Sequence, residues 1–286
     1  MSALPWFLAV AALACAAALW LHGVAQRRSA MHTGQAFASA AEAGAAPPQE
    51  PTLARALLAG LIPAVQAGIY VDALPTGQPR ARLAAALAEQ WGVRTPGDLR
   101  ATLAWLLQQG DRGTYRQVAH IATSVPRSGW PAAVRALGED CDHEQLQAWA
   151  ANLAGALPTL RHRGLVRDEA DVVRGISAWD MARAIQLARL GHDTTLVATG
   201  EAWMAIEQAA AHVYGEHASW REAAVGYLLG QAMMDGPGAA LDDACDVARA
   251  CLDDGASPWR RHPFAVRPRR APAGRLFDQP AHPPAA

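Results

Sequence analysis

The sequence lacks lysine altogether, because all 25 of its basic residues are arginine. A P-loop nucleotide site, a Schiff-base lysine and a Ser–Lys dyad each require lysine, so these three kinds of site are excluded. The patterns G-x-G-x-x-G, G-x-S-x-G and H-E-x-x-H, typical of dinucleotide-binding proteins, hydrolases and zinc proteases, are also absent. The formal net charge of -1 gives no reason to expect nucleic acid as a partner, because that binding depends on clustered positive charge.

Cysteine is scarce, with four residues at Cys15, Cys141, Cys245 and Cys251 and no C-x-x-C pattern. We therefore expect neither a disulfide framework nor a structural zinc site. This use of cysteine fits a reducing cellular compartment better than an oxidising one. The ten histidines are scattered without the spacing that metal coordination needs. No catalytic residue, metal site or cofactor is predicted.

A long uncharged run stands near the N-terminus, over residues 3–21. As a helix it would span about 28 Å, close to the hydrocarbon thickness of a bilayer. Trp6 and Trp20 lie near its two ends, where indole rings favour the headgroup boundary, and Arg27 and Arg28 follow it. The run predicts a transmembrane helix that contacts the lipid bilayer through residues 3–21.

A cleaved signal peptide is the alternative interpretation of this run, with Gly23-Val24-Ala25 as a tolerable cleavage site. A signal peptide carries its positive charge before the apolar core, whereas here the arginines come after it. By the positive-inside rule, the rest of the chain then stays in the cytoplasm. We predict a single-pass anchor over 1–28 in a bacterial inner membrane with a cytoplasmic body; export after cleavage is the alternative.

Composition divides the remainder of the chain into three parts. Residues 29–51 are rich in Ala, Pro and Gly and predict a flexible linker, and residues 263–286, rich in Pro and Arg, predict a disordered tail. The arginines of the tail could contact anionic lipid or remain solvated, and nucleic acid is the weaker alternative. Residues 52–262 form the predicted domain.

Sequence patterns typical of helix starts occur throughout the predicted domain. Thr95 before Asp98, Asp142 before Gln145 and Ser219 before Glu222 each have the spacing of an N-terminal cap. No alternating β-branched run of strand length is present, and 51% hydrophobic against 18% charged residues allows a sizeable core. The fold class predicted is all-α, a single domain of eight or nine helices.

Several short segments together resemble one known family. They are Gly175-Ile176-Ser177-Ala178-Trp179-Asp180-Met181-Ala182-Arg183, Gly200-Glu201-Ala202-Trp203, Ser219-Trp220-Arg221-Glu222, Gly226-Tyr227-Leu228-Leu229-Gly230 and Ser257-Pro258-Trp259-Arg260-Arg261-His262-Pro263-Phe264. In this order they are similar to the signature of a bacterial family known only as domain of unknown function 1266, over about residues 83–264. The resemblance implies a mostly helical domain and no assigned activity. Where that family tends to have Gly-His-Arg, this chain has Gly110-Asp111-Arg112.

Asp180 and Arg183 are the most informative charged pair, one turn apart on a helix with many apolar neighbours. A charge on a buried helix needs a partner, so the pair is expected to lock the helix in place, with Glu201 as a further member. The second interpretation is an acid and an anion clamp in a cleft. The binding pocket would then be lined by Trp179, Asp180, Arg183, Glu201, Trp203, Trp220 and Tyr227.

Two functions follow from these residues. The first is a membrane-anchored, non-enzymatic module that binds a protein partner, since no complete catalytic set can be assembled. The second is an enzyme or small-ligand binder for an anionic substrate, using Asp180, Arg183 and Glu201 in a Trp-lined pocket.

Overall fold

The computed structural model describes residues 37–44, 48, 50–138 and 142–264. Every regular element in these ranges is helical, which confirms that the domain is all-α. The predicted anchor, Cys15, Cys141 and residues 265–286 of the tail lie outside them. Among the described residues, none of the helices has the length and apolar character that crossing a bilayer requires.

The α-helices follow one another with short connections. They are α1 (Pro51–Leu58), α2 (Leu61–Ala67), α3 (Arg80–Trp91), α4 (Pro96–Gln108), α5 (Arg112–Ser124), α6 (Trp130–Arg135), α7 (His143–His162), α8 (Glu169–Val173), α9 (Ser177–Asp193), α10 (Thr199–Glu216), α11 (Trp220–Asp235), α12 (Ala239–Asp253) and α13 (Pro258–Arg261), with a 3-10 turn at Arg127–Gly129. Short helices make the total exceed the predicted eight or nine. Segments of four to eight residues hold too few turns to show a helical period in the sequence.

The predicted N-caps are present. Thr95 Oγ1 accepts from Asp98 N at 3.2 Å, Asp142 Oδ1 from Gln145 N at 3.0 Å, and Ser219 Oγ from Glu222 N at 3.2 Å. The carboxylate of Glu222 accepts from the amide of Ala218 at 2.7 Å, so this cap reaches one residue further back than a standard capping box.

Helix α9 lies at the centre of the domain and packs against α2, α3, α4, α10 and α11. Most of its residues are buried. Two glycines let its neighbours approach closely: a Cβ at Gly230 of α11 would lie 2.7 Å from Trp179 Cδ1, and one at Gly191 would overlap the side chain of Leu99. The helix that carries Asp180 and Arg183 is therefore the one around which these five helices pack.

Part of the predicted linker lies against this domain. Ser39 Oγ donates to Asp72 Oδ2 at 2.6 Å, and the amide of Ala40 donates to Oδ1 at 2.7 Å. Ala40 is fully buried. The described stretch 37–44 thus differs from the flexible linker predicted over 29–51, because a carboxylate of the domain binds its backbone.

Candidate functional site

Asp180 stands in the first turn of α9 and is fully buried. Its Oδ1 accepts from the backbone amide of Asp111 at 3.1 Å, and its Oδ2 from the amide of Arg112 at 3.0 Å. These amides begin α5, and the first N–H groups of a helix have no partner within it. Asp180 therefore caps α5 from another helix, and its negative charge suits the positive end of the α5 dipole.

The turn before α5 is built for this close approach. Gly110 has φ +58°, a left-handed conformation, and a Cβ at this position would overlap the carboxylate of Asp180. The guanidinium of Arg112 then donates to Asp180 Oδ2 at 3.1 Å, to Leu106 O at 2.6 Å and to Leu107 O at 2.8 Å. One arginine thus joins the end of α4 to the start of α9.

Arg183 completes the group that we call the Asp180 cluster: Asp111, Arg112, Asp180 and Arg183. Its Nη1 lies 3.8 Å from Asp180 Oδ1, which agrees with the predicted pair, but only 2.5 Å from Asp111 Oδ2. The guanidinium is held between the rings of Trp91 and Trp179, at 4.7 and 4.8 Å from their centroids. Trp179 Nε1 also donates to Asp111 Oδ2, at 3.4 Å.

Two carboxylates and two guanidinium groups balance the formal charge of the cluster. Burial, and then the nearby carboxylate of Asp111, raise the pKa of Asp180 to about 6, while the amide of Arg112 and the two guanidinium groups oppose this. The carboxyl is therefore still mainly ionised at pH 7. It could reach a substrate only by releasing the start of α5, so this arrangement favours a structural role.

The seven residues predicted to line one pocket are found in different places, which corrects that prediction. Trp179, Asp180 and Arg183 lie in or beside the cluster, and the ring of Tyr227 lies 5.0 Å from that of Trp179. The carboxylate of Glu201 instead accepts hydrogen bonds from Nε and Nη2 of Arg100, at 2.5 and 3.1 Å. It does so because the first turn of α10 lies beside α4.

The remaining two tryptophans belong elsewhere. Trp220 stacks on Trp259 with ring centroids 4.8 Å apart, and Phe264 packs edge-on against it. Nε1 of Trp220 donates to His262 O at 2.8 Å, which holds the residues around His262 against α11. Trp203 on α10 is half-buried against the core. These aromatic side chains serve packing.

A second polar group, which the sequence analysis missed, lies at the start of α9. Ser177 Oγ and His217 Nε2 are 3.3 Å apart and both residues are buried. The other ring nitrogen of His217, Nδ1, is buried without a hydrogen-bond partner. Burial lowers the pKa of His217 to about 4. No local pattern relates two residues 40 positions apart, so only the fold reveals this pair.

Metal binding has no support within the described ranges, where no three or more His, Cys, Asp or Glu residues come together to hold an ion. Cys245 and Cys251 are free and fully buried. Burial raises the pKa of Cys245 to about 12, so this sulfur stays a thiol at neutral pH.

Asp180→Asn tests the structural role of the cluster. The new amide group would face a backbone N–H where an oxygen now accepts, so we expect the free energy of unfolding to fall by about 2–4 kcal/mol. Glu201→Gln is the control: it breaks the ion pair to the half-exposed Arg100, so we expect a loss below about 1 kcal/mol. Urea unfolding followed by tryptophan fluorescence measures both. Equal stability of Asp180→Asn and the natural chain would contradict the structural role.

His217 predicts a loss of stability in acid. Its pKa is about 4 in the folded chain and 6.5 without the fold, so between these values the unfolded state binds the extra proton. Stability should therefore fall as the pH is lowered from 7 to 4.5, with His217 contributing at most about 3 kcal/mol. The free energy of unfolding of His217→Gln should fall less on acidification than that of the natural chain. For His120→Gln, at an exposed position of α5, it should fall as much as in the natural chain. The same acid loss in all three would show that His217 titrates normally.

Comparison with known proteins gives one result. A family model described as protein of unknown function (DUF1266) matches residues 86–264, close to the segment over which the resemblance was predicted. No curated protein and no solved structure matches the chain. The matched residues contain the Asp180 cluster and the Ser177–His217 pair. The match covers more than half of the sequence, and the chain therefore belongs to the DUF1266 family.

Proposed function

We propose that this protein is a non-enzymatic module that binds a protein partner, held by residues 3–21 at the cytoplasmic face of a bacterial inner membrane. The observation that carries the proposal is that Asp180 is fully buried and that both of its carboxylate oxygens accept hydrogen bonds from backbone amides at the start of α5. The charged residues that best suited an active site are thereby explained by the fold.

The location rests on the sequence before the domain. The uncharged run at 3–21 has the length of a membrane-spanning helix, and Arg27 and Arg28 follow it on the side that the positive-inside rule assigns to the cytoplasm. An anchored domain meets a membrane partner at a raised local concentration, which lets a modest binding surface suffice.

The alternative function, an enzyme or small-ligand binder for an anionic substrate, has one observation in its favour. Arg112 and Arg183 keep 17% and 15% of their side chains exposed at the edge of the cluster, where an anion could meet them. In that case Asp180, with its pKa near 6, would be an acid within reach of neutral pH. The experiment below distinguishes the two functions.

Affinity capture of the full chain from its native membranes in mild detergent, read by mass spectrometry, tests the proposal. We expect a near-stoichiometric protein partner, and we expect a variant lacking residues 3–21 to leave the membrane fraction. The control is Glu201→Gln, which keeps the anchor and should capture the same partner.

Three results would contradict the proposal. A purified chain that begins after Ala25 would mean cleavage and export. A capture that yields no other protein would contradict the proposed protein partner. A metabolite anion that binds the natural chain but not Arg183→Gln, with both folded, would establish the alternative.

A further inference from the structure

A cavity of about 370 Å³ lies where α10 ends and α11 begins. We call it the α10–α11 pocket and define it by Arg174, Tyr214, Glu216, His217, Glu222 and Phe264. It is separate from the Asp180 cluster, since no residue is common to both. Its volume suits a small ligand or a single side chain of a partner.

Negative charge predominates among the residues that line this pocket. Glu216 and Glu222 each bring a carboxylate, while Arg174 is the one cation among the lining residues described and lies 3.2 Å from Glu222. One negative charge therefore remains. The C-terminal end of α10, which has 18 residues, adds the negative end of its dipole. The N-terminal end of α11 is already occupied by the side chains of Ser219 and Glu222.

His217 adds a hydrogen-bond acceptor. Ser177 Oγ lies 3.3 Å from His217 Nε2 and accepts a hydrogen bond from it when the ring carries its proton on Nε2, which leaves the lone pair on Nδ1. This nitrogen has no partner, although only 6% of the residue is exposed. Leaving a buried acceptor unpaired is costly unless a ligand binds it.

Aromatic rings form the apolar part of the wall. The centroids of Tyr214 and Phe264 lie 4.9 Å apart at the edge of the pocket. Ring faces attract organic cations, and carboxylates beside them strengthen this preference. A metal ion would need a denser set of ligands, and within the described ranges no such group exists.

We propose that the α10–α11 pocket binds the cationic end of an organic amine or guanidinium, whose N–H groups donate to Glu216 and to Nδ1 of His217. This goes beyond the proposed function, because the site stands whether or not the chain has a protein partner. The same chemistry is available from a free amine or from a basic side chain of another protein, and the test separates these two sources.

The probe is agmatine, a four-carbon chain with a guanidinium group at one end and an ammonium group at the other, titrated into the full chain in detergent and followed by calorimetry. N-butylurea, an uncharged compound with the same chain length, is the ligand control. We expect agmatine to bind with a Kd below about 10 mM, as its size allows, and the urea not to bind. The ¹⁵N shift of the His217 ring should move with agmatine alone.

Two variants locate the site. Glu216→Gln removes a half-exposed carboxylate and should leave the fold intact while weakening agmatine roughly tenfold. Glu89→Gln removes an equal charge from an exposed position of α3 and should bind agmatine as the natural chain does. His217→Gln gives a second check, because it removes the ¹⁵N signal of the His217 ring and so identifies that signal in the titration.

The proposal is overturned if agmatine does not bind, if butylurea binds equally, or if the two Glu variants behave alike. Tighter binding of a short acetylated peptide with a central arginine than of agmatine would support a partner's side chain as the source. Weaker binding of the peptide would support a free amine. A partner captured equally by the natural chain and Glu216→Gln would leave the interaction module intact and separate it from this pocket.

Discussion

The contact between the carboxylate of Asp180 and the backbone amides of Asp111 and Arg112, at the N-terminal end of α5, is the interaction on which this arrangement depends. It joins the most central helix to a helix that begins 68 residues before Asp180. A buried carboxylate is stable only when its oxygens have donors and its charge has a partner, and here Arg112 and Arg183 supply that charge. Gly110 permits the approach because a side chain there would occupy the place of the carboxylate.

Other polar residues of α9 act in the same way on other parts of the chain. The buried guanidinium of Arg189 donates to the carbonyls of Tyr70, Leu74 and Pro75, and Asp193 accepts from both the amide and the hydroxyl of Thr76. Helix α9 thus holds a loop and a helix start through their backbones, and most of its charge is used within the fold. The α10–α11 pocket differs, because there a ring nitrogen of His217 remains unpaired. This unpaired nitrogen is the basis of the binding that we propose for the pocket.

Much of the fold could be predicted where the signal is local. The caps at Thr95, Asp142 and Ser219 depend on residues three positions apart, and the long helices show their period directly. The start of α5 carries no such signal, because its N-cap residue Asp111 makes no side-chain cap and the acceptor comes from Asp180. The i, i+3 spacing predicted the contact of Asp180 with Arg183, yet the closer partner of Arg183 is Asp111. The remaining contacts depend on which helices lie side by side. They include the ion pair of Glu201 with Arg100 and the Ser177–His217 pair.

Amide hydrogen exchange at Asp111 and Arg112 tests the central claim most directly. Both amides are capped by a buried carboxylate, so they should open only with unfolding of the domain and show protection of at least about 10³-fold. Gly200, in the first turn of α10, is the internal reference, since that helix start has no side-chain cap and its amide should exchange quickly. Strong protection at Asp111 and Arg112 with fast exchange at Gly200 is the result that the structure predicts. Exchange of all three at the same fast rate would mean that Asp180 does not hold α5.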